Sequence, residues 1–210
     1  MSSLESLREV LFGDLPIRRW AGSGTAEPWV SFRHAADLIE AGDVATARQQ
    51  LYSIIGLPHL ESRHYLEAWA ALRELGEQPR PSVAKHLYGV VLDVPMDHGP
   101  DSLAAYADYG CRYLNYSGRA TIWEHPNDSL DEPIDRLLAA GRTLVDNIGP
   151  WQGSRPPLPA GLARISLLCP AGLHFGQAPF RTLQADPMAA PVLAAGTALL
   201  QRLVDLTPGS

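Results

Sequence analysis

The stretch that most constrains this chain runs from Leu103 to His125, LAAYADYGCRYLNYSGRATIWEH, because it carries two hairpin signals close together. Tyr109-Gly110 and Ser117-Gly118 each put glycine where a tight loop needs positive φ. The run between them, Cys111 to Tyr116, holds two tyrosines suited to a half-buried strand. The reading is a three-stranded antiparallel meander. Closed as two-residue loops, the turns set Asp108 opposite Cys111, Tyr106 opposite Tyr113, Leu114 opposite Thr121 and Arg112 opposite Trp123. One face then carries Tyr106, Asp108, Cys111, Tyr113, Asn115, Ile122 and Glu124. The other carries Leu103, Ala105, Ala107, Arg112, Leu114, Tyr116, Arg119, Thr121 and Trp123, and its Leu103, Ala105, Leu114 and Trp123 side is the expected core. A slip of one residue in either turn would invert the strand that follows.

Upstream the pattern is helical. Leu4, Leu7, Val10 and Leu11 have helical spacing over residues 3–12, and a Gly- and Pro-containing loop follows to Pro28. Its Gly22-Ser23-Gly24 cluster lacks the Gly-Lys-Ser or Gly-Lys-Thr of a phosphate-cradling loop. From Trp29 to Leu75 an alanine-rich helix, a Gly42-Asp43 break in which Asp43 caps the next helix, and a third helix from Glu61 make a helical hairpin and its neighbour. The hairpin resembles one tetratricopeptide-type helix pair. Such arrays need about three or more repeats, so the expectation is a helical bundle or cap rather than a solenoid.

Gly76 to Ser82, GEQPRPS, marks the expected boundary between a helical N-terminal region, 1–80, and an α+β domain, 81–210. Beyond it, Leu87 to Met96 suits a central strand buried on both faces, and Asp97 to Ser102 reads as a turn into the meander. A helix from about Glu132 to Ile148, capped by Asp131, turns Ile134, Leu137, Leu138, Leu144 and Val145 to the sheet. After a Pro- and Gly-rich loop come strands at Ala163 to Cys169 and Leu173 to Gln177, then an apolar helix, Pro187 to Leu206. The predicted fold is α+β: an antiparallel sheet of five to six strands packed by two helices, preceded by the helical region.

Charge and residue usage narrow the function classes. A formal net charge of -6 with no Lys or Arg cluster argues against a nucleic-acid partner. Lys85 is the single lysine, against sixteen arginines, a bias that suggests a GC-rich bacterial genome. Cys111 and Cys169, with no metal spacing, read as reduced strand residues. Glu5, Arg8 and Glu9 break up any signal-peptide pattern, and the apolar run from Met188 to Leu200 is too short to span a bilayer, so the expected location is cytoplasmic, with no membrane partner.

Three groups of residues could carry chemistry. The segment DVPMDHGPDS gathers Asp93, Asp97, His98 and Asp101. Asp97 and His98 are the candidate catalytic or metal-ligating pair there, although Asp, Gly and Pro are ordinary turn formers. Arg112, Arg119, Trp123 and Glu124, with His125 beside them, form a candidate binding surface, because Arg and Trp dominate interfaces and hold carboxylates. His174 sits between Gly172 and Gly176, five residues after Cys169, without the local signature of a thiol hydrolase. No catalytic motif stands out and no cofactor is implied. The leading expectation is a non-enzymatic protein–protein interaction module whose partner is another protein or, given the apolar last helix, a second copy. The alternatives are a metal-assisted hydrolase using Asp97, His98 and His174, and a small-ligand sensor that binds between sheet and helices.

Overall fold

The computed structural model describes residues 3–207 and divides the chain into two compact units, the first reaching His86 and the second starting at Leu87. Each is described by itself.

The first unit is helical. It comprises α1 (Ser3–Glu9), α2 (Ile17–Trp20), α3 (Trp29–Glu40), α4 (Val44–Gly56), α5 (Ser62–Glu74) and α6 (Pro81–Ala84). The helical hairpin is present as α3 and α4, and the Asp43 carboxylate accepts the Thr46 N–H at 3.1 Å, which caps α4; the Thr46 side chain and then this N–H hold the Asp43 pKa down. Phe32, Leu51, Ile54, Ala68 and Leu72 form the core, walled by Trp20 and Trp69. The loop expected over residues 13–28 contains α2, which seats Ile17 and Trp20 in that core. A four-residue helix is too short to show an amphipathic period.

The second unit is a six-stranded antiparallel sheet. Its strands are β1 (Gly89–Met96), β2 (Gly99–Tyr106), β3 (Cys111–Leu114), β4 (Ala120–Trp123), β5 (Ala163–Cys169) and β6 (Gly172–Ala178), in the order β4-β3-β2-β1-β5-β6. Between β4 and β5 runs α7 (Asp131–Asn147), which carries the chain from one edge of the sheet back past β1. After β6 come α8 (Phe180–Ala185) and α9 (Ala189–Leu206). The α+β fold with an antiparallel sheet packed by helices is therefore present.

Both long helices lie on one sheet face. Ile134, Leu137, Leu138, Leu144 and Val145 of α7 and Val192, Leu193, Leu199 and Leu203 of α9 share one core with Val90, Leu92, Leu103, Ile165 and Leu167. Each fully buried Leu or Ile contributes roughly 1.5–3 kcal/mol. Glycine sets the closest approach of each helix. A Cβ at Gly141 would meet Val90 Cγ2 at 3.0 Å, and one at Gly196 would meet Leu92 Cδ1 at 2.1 Å. Asp131 begins α7 instead of capping it, and its carboxylate pairs with His125 Nε2 at 3.0 Å.

The opposite sheet face buries Val91, Ala104, Tyr106 and Leu168 together with Asp93, Ser102, Arg112, Arg164 and Ser166. The Pro-rich segment before β5 is held here by Arg164. Its Nη1 and Nη2 donate to the Pro156 and Pro157 carbonyls at 2.7 and 2.9 Å, its Nε and Nη2 donate to Gln177 Oε1, and its guanidinium lies 4.9 Å over the Phe175 ring.

The meander exists, but its register differs from the expectation. Cys111 pairs with Ala105 and Tyr113 with Leu103, whereas Leu114 pairs with Ala120 and Arg112 with Ile122. Both turns close as three-residue loops, Ala107 to Tyr109 and Tyr116 to Gly118, with Tyr109 (φ 62) and Gly118 (φ 91) in the left-handed position. The first loop shifts register by three and the second by one, and each odd shift inverts the following strand. The two inversions cancel at β4. Leu103, Ala105 and Trp123 are therefore on the core side as expected, while on β3 Cys111 and Tyr113 face the helices and Arg112 and Leu114 face away.

A third hairpin joins β1 to β2 through Asp97 and His98, so the expected turn over residues 97–102 is only two residues long. Pro95 and Pro100 lie opposite each other in this ladder. The β1–β5 pairing ends at Asp93 and the β2–β3 pairing begins at Ser102, so the hairpin projects beyond both neighbours and neither missing N–H is needed on its outer side.

Candidate functional site

Between the projecting hairpin and α9 lies a cleft of about 250 Å³. Its floor is the helix-facing side of β1 and β2, with Leu92, Val94, Met96 and Leu103, and its wall is Leu193, Gly196, Thr197 and Leu200 of α9 with Phe180 of α8. Strand alternation puts Leu92, Val94 and Met96 on one face. The missing side chain at Gly196 brings the α9 backbone against Leu92. The sheet outruns its cover here, leaving Met96 at 47% exposure.

Two polar side chains enter this apolar cleft from the sheet. Asp101 on β2 and Tyr113 on β3 are diagonal neighbours, since Tyr113 pairs with Leu103. Tyr113 Oη donates to Asp101 Oδ2 at 2.6 Å, and the Tyr116 N–H donates to Asp101 Oδ1 at 2.8 Å. Burial, and then the hydrogen bond and charge of Asp101, push the Tyr113 pKa up, so the phenol keeps its proton and remains a donor to the carboxylate. On the opposite wall, Thr197 Oγ1 donates to the Leu193 carbonyl of its own helix at 2.8 Å.

The residues singled out in the sequence fall elsewhere. Asp97 and His98 form the exposed tip of the β1–β2 hairpin, where the His98 ring lies 6.0 Å from that of Tyr116. His174 is buried on β6, with Nδ1 3.2 Å from the Gly172 carbonyl. It pairs with Leu167, which pairs with Val90, and His98 is eight residues further along the chain, about 25 Å at the rise of a strand. The sheet thus keeps His98 and His174 apart. Asp93 faces away from the cleft and accepts the Ser102 hydroxyl proton at 2.6 Å. Among the described residues, no three His, Cys, Asp or Glu side chains converge on a set able to hold a metal ion.

The Arg and Trp group is not gathered on one face. Arg112 is buried on the side away from the helices, with Nη2 3.0 Å from Glu124 Oε1. Trp123 points to the helix side, and its indole donates to the Asn127 carbonyl at 3.2 Å. Arg119 is exposed just after the β3–β4 loop, and His125 stacks on Tyr109 with ring centroids 5.1 Å apart. Cys111 and Cys169 are both buried and are not joined by a disulfide, and burial pushes the Cys111 thiol up to about 12. They lie on β3 and β5, three inter-strand spacings or about 14 Å apart, beyond disulfide reach.

Asp101 belongs to the acidic cluster read from the sequence, but its partner Tyr113 does not. The signal that could have joined them is the alternation Asp101, Leu103, Ala105, which places an acid in line with core residues once β2 is extended back to Gly99. A scan of family models and searches of curated sequences and of solved structures each return no match to this chain.

Proposed function

We propose that the second unit binds a small, mostly apolar molecule in the cleft between β1, β2 and α9, acting as a ligand-sensing domain. The observation that carries this reading is the cleft itself: apolar walls, an open end and one hydrogen-bonded polar pair, the make-up of small-molecule sites. A dry cavity of about 150 Å³ accommodates benzene, so a cleft of about 250 Å³ has room for a molecule of that class with a short substituent.

Ligand that binds only the folded chain raises its unfolding temperature. Toluene near saturation should therefore raise the thermal midpoint of the full chain, and Leu200→Trp, which fills the cleft, should remove that increment. The same shift in both proteins, or a parent midpoint unchanged by toluene and by its amine analogue benzylamine alike, would refute the proposal.

A further inference from the structure

The hydrogen bonds around the cleft restrict the chemistry of its ligand. This step rests on the cleft being the binding site. A hydroxyl has one proton, and both cleft hydroxyls have committed theirs: Tyr113 to Asp101 Oδ2 at 2.6 Å and Thr197 to the Leu193 carbonyl at 2.8 Å. Asp101 is an acceptor only. No Lys, Arg or His lines the cleft, and among the described residues no basic side chain is ion-paired with Asp101. Every polar side chain that lines the cavity therefore offers lone pairs, with one formal negative charge among them.

From this exhausted set of donors we infer that the cleft selects a protonated primary amine carried on a small apolar body, its ammonium held by Asp101 and Tyr113. Its N–H donors match the lone pairs remaining on the carboxylate and the phenol oxygen, and its charge complements Asp101. An anionic head group would meet a carboxylate with no cation to offset it. To be bound as an acceptor it would have to break the Tyr113–Asp101 bond, which is charge-assisted and short. A neutral alcohol can donate one hydrogen bond but gains nothing from the charge.

The test is a titration of the full chain, followed by NMR shifts of the Leu193 and Thr197 methyl groups, with benzylamine, benzyl alcohol, benzoate and toluene. These probes share a ring and differ in the head group. Benzylamine should bind at least tenfold more tightly than benzyl alcohol, and benzoate should leave both methyls unmoved. Raised ionic strength should weaken benzylamine and leave benzyl alcohol unchanged, because only the charged pair is screened. Asp101→Asn should bring benzylamine down to the affinity of the alcohol; if that variant does not fold, the salt dependence of the parent chain carries the same distinction. Binding of toluene and benzyl alcohol as tightly as benzylamine, or any binding of benzoate at this site, overturns the amine inference while leaving the cleft as a site. Failure of all four probes to move either methyl overturns both.

Discussion

Glu67 illustrates how far one residue can depart from its type. It sits on α5, fully buried beside Leu66 and Ala68. Its Oε2 accepts the Leu15 N–H at 3.0 Å, and among the described residues Oε1 has no hydrogen-bond partner. Burial first, then the nearby Asp14 and Glu74, push its pKa from the usual 4.5 to about 9, against the opposing pull of the Leu15 N–H and Arg73. The folded chain thus keeps a proton that the unfolded chain has already lost. Stability should fall as pH rises from about 4.5 to about 9 and level off above that. Glu67→Gln keeps an acceptor for Leu15 and has no charge to bury, so its thermal midpoint should be flat across this window and higher than that of the parent at pH 8. Parallel profiles for the two proteins would show that Glu67 is not the titrating group. Nothing in the sequence marks this position, since a Glu within a helix is ordinarily solvated. α5 was legible as the third helix from Glu61, while the burial of its Glu67 flank depends on the packing of the segment around Leu15.

Among the elements, strands with strong apolar runs were legible and their register was not. Ala163–Cys169 reads directly as a strand because six of its seven residues are apolar or small enough to be buried, the exception being Arg164. Arg164 is held by the two proline carbonyls and Gln177. The meander was legible from its glycines, but loop length was not, because a Gly in the left-handed position serves two- and three-residue loops alike. At Tyr109 the left-handed residue is not even glycine. Gly118 gives a clean measure of this geometry: its φ is 91, and a Cβ there would meet nothing within 4 Å. Gly118→Ala should therefore cost about 1 kcal/mol from backbone strain alone, read from the denaturant midpoint at unchanged slope. A neutral result would mean that the β3–β4 loop does not hold this conformation. Because β3 carries Tyr113 into the cleft, the odd register shift that inverted β3 also hid half of the polar pair.

For the whole molecule, the sequence made the helical front and the sheet-rich rear legible because the hydrophobic period changes between them. The cleft was not legible, because it arises where a hairpin outruns its neighbours and a helix crosses it at a glycine. The unfolded sequence specifies Gly196 and Leu92, but only the fold brings them together. The same applies to α9, which has a mean hydropathy of 1.2 over 18 residues and is long and apolar enough to cross a membrane; it is longer than the run read as too short to span one. In this fold it buries Val192, Leu193, Gly196, Leu199 and Leu203. Its contact with the sheet leaves the proposed ligand cleft, whose polar side chains have only acceptors to offer. The most direct test is a crystal structure of the full chain grown with benzylamine. The ring should lie between Leu92 and Leu193, with the ammonium within hydrogen-bond distance of Asp101 or Tyr113. Benzylamine bound elsewhere, or the cleft closed over Leu92 with the amine excluded, would contradict it.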